Sequence, residues 1–369
     1  MADPKAGMSA EDVRAAVRAG ILTEAQAAEL KVLSEERAGT RAAHTSEDEP
    51  FEFFRGFAEV FVAIGLVILL GGITLMLTTV GGPGILVAIP AILAAAAWWM
   101  ARYFTLRWRM NLPSMVLVSA FGTGIYVSAL TALFQSGAGM RATGFVAAAV
   151  AACASYLWFR RFRLPFSMFV TGSFALLATY AAFIQLSPAA NDLDSVSSWI
   201  QGFTPRGNLT FASLVFGMAA FVAAMRFDLR DPHRVGRDAA TAFWLHLLAA
   251  GALVNATVGR VYSGGGFLGG GSANMVPTIL VLAVFAVVAL VIDRRSFLSA
   301  GIVYIGAVVY WAVAGDRSAT MAEWATILIL IGLFFTVLGT WWHPLRGALM
   351  RLLPDFPGKS RLPPYSERS

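Results

Sequence analysis

FAEVFVAIGLVILLGGITLMLTTV, residues Phe57–Val80, runs for 24 residues with a single charge, Glu59, at its third position. A helix needs about 20 apolar residues to cross the hydrocarbon core of a bilayer, and this stretch is longer than that. Its hydrophobicity is continuous, whereas a strand of an outer-membrane barrel alternates apolar and polar residues. The stretch therefore reads as a transmembrane helix.

The same pattern recurs to the end of the chain. Further apolar stretches cover Gly84–Ala101, Leu112–Phe134, Ala142–Phe159, Pro165–Leu186, Asn208–Met225, Ala239–Gly259, Asn274–Ile292, Phe297–Ala314 and Ala322–Trp342. Of the 369 residues, 57% are hydrophobic and 14% charged, with a mean hydropathy of +0.67. Soluble domains carry about 25% charged residues. The reading is an all-α, polytopic transmembrane bundle of about ten spans over residues 57–342, with the lipid bilayer as its principal partner.

Charge placement predicts orientation. With both termini in the cytoplasm, the cytoplasmic segments hold 24 Lys/Arg, leaving Arg141, Arg206, Arg260 and Arg317 outside. Cytoplasmic loops of membrane proteins are enriched in Lys and Arg, and every loop here agrees. The seventh stretch, with His246 and Asn255, is the least apolar. Removing it flips the downstream loops and degrades the split to 19 against 9. The net charge of +6 is thus a topology signal, and no nucleic-acid surface is implied. Trp98, Trp99, Trp158, Trp341 and Trp342 fall at predicted cytoplasmic ends, and Trp311 and Trp324 at outer ends, where amphipathic rings favour the headgroup level.

Residues 1–56 are polar, with 11 acidic and 7 basic residues, and predict no cleaved signal peptide. Ser9–Asp12 and Thr23–Gln26 read as helix starts with reciprocal capping, and Gly20 as the helix end between them. The expectation is a short cytosolic helical hairpin, followed by an acidic linker over Ala42–Pro50, and too small to be stable alone. Residues 343–369 read as an interfacial helix followed by a disordered Pro-rich tail. The helix places Leu345, Leu349, Leu352 and Leu353 on one side and Arg346 and Arg351 away from it.

Little in the chain points to catalysis. Four histidines and the lone Cys153 supply no metal-ligand set, and no phosphate loop or nucleophile motif occurs. No metal, cofactor or catalytic residue is expected, and the chain is read as non-enzymatic. Gly-rich Ser263–Ser272 reads as an outer loop, and Gly81–Gly84 as a tight turn. Cys153, within an apolar stretch, reads as a buried thiol.

Glu59 and Asp238 fall at span ends, and Asp293 closes the eighth span beside Arg294. His246 is the one ionisable residue well inside, about two turns or ~10 Å from the cytoplasmic edge. It reads either as a proton relay or substrate contact, or as a neutral imidazole bonded to a neighbouring helix. Asn255 lies half a helix circumference away from it. Gln135, Gln185 and Asn255 fall at outer ends of outward-running spans, with Tyr126 and Tyr180 deeper. These five and His246 are the candidate ligand-binding residues. They could line an outward-facing vestibule, or simply be polar groups near water.

Four segments resemble a group of bacterial multi-span membrane proteins classed as a domain of unknown function. They are Ala19-Gly20-Ile21-Leu22-Thr23-Glu24-Ala25-Gln26, Asp48-Glu49-Pro50-Phe51, Gly124–Gly139 and Trp342-His343-Pro344-Leu345-Arg346. The resemblance implies a bacterial inner-membrane location and transfers no functional residue. Two functions stand at this level: a transport-like protein, or one binding a small apolar or lipid-like ligand; and a non-transporting scaffold or sensor whose hairpin, within residues 1–56, docks a cytosolic protein.

Overall fold

The computed structural model describes residues 10–30, 57–80, 84–185, 208–231, 237–262, 275–297 and 321–355, with 359 and 362. No strand occurs among them. The helices are α1 (Ala10–Arg18), α2 (Phe57–Val80), α3 (Ile85–Ala101), α4 (Asn111–Gln135), α5 (Met140–Phe162) and α6 (Phe166–Gln185). They continue with α7 (Asn208–Asp228), α8 (Arg237–Tyr262), α9 (Met275–Ile292), α10 (Met321–Thr340) and α11 (Trp342–Leu352). Among the described residues, the seven helices from α2 to α8 are long and apolar enough to cross a membrane. The expected span Phe297–Ala314 lies outside the described residues apart from its first position, as do the Ala42–Pro50 linker and the Ser263–Ser272 loop.

The bundle has two apolar cores that share α6. The first joins α2 to α6 around Leu66, Ala97, Leu117, Phe121, Trp158 and Val170. The second joins α7, α8, α9 and α11 around Phe216, Ala249, Leu253, Ala289 and Trp342. Between lipid-facing helices no hydrophobic force drives association, so close packing of small residues has to supply it. Gly124 of α4 lies so close to α3 that a Cβ would sit 2.5 Å from the Pro90 carbonyl oxygen, a backbone atom that cannot swing aside. Gly217 of α7 lies similarly close to Leu253 of α8, where a Cβ would sit 2.7 Å from the Leu253 side chain. Nearby, Ser128 donates to the Val87 carbonyl at 2.9 Å and ties α4 to α3.

Two buried carboxylates satisfy helix starts from outside the helix. The first backbone N–H groups of a helix have no intrahelical acceptor. Glu59 of α2 accepts from the N–H groups of Asn111 and Leu112 at 3.1 and 3.2 Å, at the start of α4. Asp231 accepts from the Ala239 N–H at 3.3 Å in the first turn of α8. In both cases a negative group sits at the positive end of the helix dipole.

Some local expectations hold and others are corrected. Thr23 and Gln26 exchange side chain-to-backbone bonds at 3.0 and 3.2 Å, the reciprocal capping read from the sequence. Gly20, at φ +73°, ends α1, with its N–H bonded to Val17 and that of Ile21 bonded to Ala16. Cys153 is exposed on α5 rather than buried, because that helix turns its small Ala147, Ala148 and Ala151 inward. Trp158 does not sit at a headgroup surface. It is fully buried, ringed by Trp98, Phe121 and Phe162 at 4.7–5.4 Å. On α11 the buried face is Trp342, Arg346 and Met350, while Leu352 is exposed. Arg346 therefore faces inward, because it caps a helix end described below.

Gly124→Ala is expected to lower the apparent Tm of the purified protein, by the equivalent of about 1–3 kcal/mol for overpacking against rigid backbone. Gly65→Ala, where a Cβ meets nothing within 4 Å, should leave Tm unchanged or raise it. Half-buried Glu24 gives a second test, because burial, then the charges of Asp231 and Asp238, push its carboxyl above the usual range. The docked tail therefore holds that proton more tightly than a free tail does. Docking should tighten as pH falls through the raised value and loosen as pH rises. Hydrogen exchange of residues 24–30, corrected for intrinsic rates between about pH 4 and 7, should show this trend in the wild type. Glu24→Gln should flatten it.

Candidate functional site

α7 ends at Asp228, whose carboxylate points between α8 and the chain leaving α9. His246 of α8 meets it, with Nε2 2.7 Å from Oδ2. Arg294 meets it as a fork, Nη2 donating to Oδ1 and Nε to Oδ2. His246 and Arg294 are 0% and 1% exposed, and the Asp228 side chain 12%. An unpaired charge here would be strongly unfavourable, so the three groups stand or fall together.

Backbone geometry brings Arg294 into the bundle. α9 ends with Asp293 in the left-handed region at φ +56°. The Asp293 N–H bonds back to Leu290 and that of Arg294 to Ala289, closing the helix as a Schellman turn. The turn reverses the chain and sends the Arg294 side chain back under α7 and α8. α11 holds the turn in place. Trp342 Nε1 donates to Asp293 Oδ1 at 2.8 Å, and Arg346 Nε donates to the Leu290 carbonyl at 3.1 Å. Arg346 also lies 3.5 Å from Asp293 Oδ1 as an ion pair.

With His246 neutral, the charges of Asp228, Arg294, Asp293 and Arg346 cancel. Phe221 and Phe297 wall the imidazole edge-on, with centroids 5.6 and 6.1 Å away. Two buried polar atoms, His246 Nδ1 and Arg294 Nη1, have no hydrogen-bond partner among the described residues. The site thus combines a closed ion pair with a ring nitrogen left open on its apolar side.

The other sequence candidates separate into groups. Tyr180 and Asn255 do come together, joined by Ser213, which sequence reasoning missed. The Tyr180 hydroxyl lies 2.6 Å from Ser213 Oγ, and Asn255 Nδ2 donates to Ser213 at 3.1 Å and to Tyr180 at 3.4 Å. Tyr180 and Ser213 are buried, so this cluster binds α6, α7 and α8 to one another. Tyr126 packs on Phe174 with the rings tilted and their centroids 5.6 Å apart, away from that cluster. Gln135 is exposed at the end of α4, and Gln185 is the last residue of α6, its side chain outside the described set. Asp228 and Arg294 were missed because both lie in segments that read as charged loops. The signal that could have found them is an acid and a base closing consecutive helix ends beside the histidine span.

No family model, curated protein or solved structure matches this chain. The geometry therefore carries the functional reading.

Arg294→Gln should destabilise the protein by about 3–5 kcal/mol, the usual effect of stranding one member of a buried pair. Adding Asp228→Asn should recover part of that loss, which thermal unfolding of the single and double variants would measure. Equal Tm values for wild type and Arg294→Gln would rule out a closed ion pair.

Proposed function

We propose that this protein is a ten-span protein of a bacterial inner membrane, with both termini in the cytoplasm, and that it is transport-like and non-enzymatic. The observation that carries this reading is the fully buried His246, bound to a carboxylate that is itself salt-bridged to another helix end. Ionisable residues buried among spans mark ion or substrate paths by default, because keeping them there costs stability. In this reading the triad is a latch. It fastens the cytoplasmic ends of α7, α8 and α9, and a proton arriving at Asp228 or His246 upsets its charge balance and releases it. Phe221, Ala250 and Leu253 pack the faces of α7 and α8 together above the latch, and in this reading its release parts them to admit a small apolar or lipid-like ligand. The loop-charge split supports the orientation, and the seven membrane-length helices support the membrane location.

The second reading is a scaffold or sensor whose tail docks a cytosolic protein. Ile21, 75% exposed in the turn after α1, favours it as a contact point.

Cysteine accessibility separates the two. In a Cys153→Ser background, Ala250→Cys places a thiol one turn deeper than His246. A membrane-impermeant maleimide applied from the cytoplasmic side should modify it slowly. Adding Asp228→Asn should raise that rate roughly tenfold, a shift of about 1.4 kcal/mol in the opening equilibrium. An unchanged rate would reject the latch and favour a sealed scaffold.

A further inference from the structure

A cavity of about 550 Å³ opens beneath α1, between it and the bundle ends that it covers. That volume falls within the range of small-molecule sites. Arginines line it from four separate elements: Arg14 and Arg18 from α1, Arg109 from the α3–α4 junction, Arg163 from the α5–α6 junction and Arg237 from the start of α8. Arg18, Arg109 and Arg163 each act on Arg237 as like charges. No ion pair within 4 Å holds Arg109, Arg163 or Arg237 among the described residues, although Asp238 acts on Arg163 as an opposite charge.

The positive-inside rule explains why arginines lie on this side. It does not explain why they converge. Loop arginines that only set topology are free to splay apart into solvent and headgroups, which lowers their mutual repulsion. Here Arg18, Arg109, Arg163 and Arg237, all exposed, line one shared space, with the first three acting on the fourth; the left-handed backbone of Arg163, at φ +50°, belongs to the C-cap that ends α5. The remaining lining is mixed. Trp108, Phe166 and Trp244 supply apolar and ring surface, while Asn111 and Ser114 supply polar groups. The acidic first turn of α1, Glu11 and Asp12, borders the same space and offsets part of its positive charge.

We propose that this cavity binds a phosphate-bearing small molecule, with its phosphoryl group on Arg109, Arg163 and Arg237 and its less polar part against Trp108 and Trp244. Guanidinium groups match phosphate oxygens in charge and in forked geometry, and several converging ones fix a single anionic group. α1 is the roof, so ligand binding orders the N-terminal tail against the bundle. The site is separate from the Asp228–His246–Arg294 latch, and neither inference depends on the other.

The test uses the full chain in nanodiscs of phosphatidylcholine, titrated with inorganic pyrophosphate and followed by tryptophan fluorescence and apparent Tm. Saturable binding with a rise in Tm is expected. Arg109→Gln, Arg163→Gln and Arg237→Gln should each weaken it by about tenfold or more, as for loss of a charge-assisted hydrogen bond. Arg351→Gln, on an exposed arginine of α11, should not weaken it. Removing the competing carboxylates with Glu11→Gln and Asp12→Asn should strengthen binding severalfold, a gain that misfolding cannot mimic. A second arm places phosphatidic acid in the nanodisc. Competition with pyrophosphate would identify a lipid phosphate as the ligand, and its absence a soluble one. The proposal is overturned if neither phosphate source binds saturably, or if binding survives all three Arg→Gln substitutions.

Discussion

A carboxylate placed among apolar helices has to be matched by positive charge and by donors, and Asp228 sets that requirement for half of the molecule. Arg294 can meet it because α9 stops where it does, with Asp293 turning the chain through a left-handed residue. That turn persists because Trp342 and Arg346 occupy its carboxylate and the neighbouring carbonyl. The position of α11 is thus tied, through two buried side chains, to the charge at the end of α7. A helix that looks like a surface appendage is structurally part of the buried site.

The other half of the bundle meets a different demand. α2 to α6 have few buried charges and are held by close approach, with Gly124 against Pro90 and a cluster of Trp98, Phe121, Trp158 and Phe162. Such contacts tolerate little change in volume but are indifferent to protonation. The two halves therefore differ in kind. One is fixed by shape, and the other by a charge balance that one proton can upset. α6 packs in both, with Val170 in the first core and Ala175 and Leu176 against the second.

Hydropathy and capping rules read the helices well, because length, continuous apolarity and side chain-to-backbone bonds within four residues are local properties. Thr23 with Gln26, Gly20 and the span from Phe57 were legible for that reason. His246 also stood out, since an ionisable residue inside an apolar run is conspicuous. Its partners did not. Asp228 and Arg294 lie 66 positions apart, at the edges of runs where charge is expected and counted as topology. Trp158 and Arg346 misled for the same reason, since their types favour a water boundary and nothing local says that a neighbouring helix covers them. Ser213 was invisible because one serine in an apolar span carries no period and no motif. What escaped the sequence is the set of contacts between distant segments.

Glu59 has a consequence for how the chain is made. Its acceptor bonds go to Asn111 and Leu112, which follow it by 52 and 53 residues. When α2 leaves the ribosome, those donors do not yet exist, so its one acidic group has to keep water as its hydrogen-bonding partner. Only after α3 has been made and α4 has begun can the carboxylate meet these donors. α2 is therefore fastened only once the start of α4 has been made. Its position against the bundle is settled by a partner that arrives two helices afterwards.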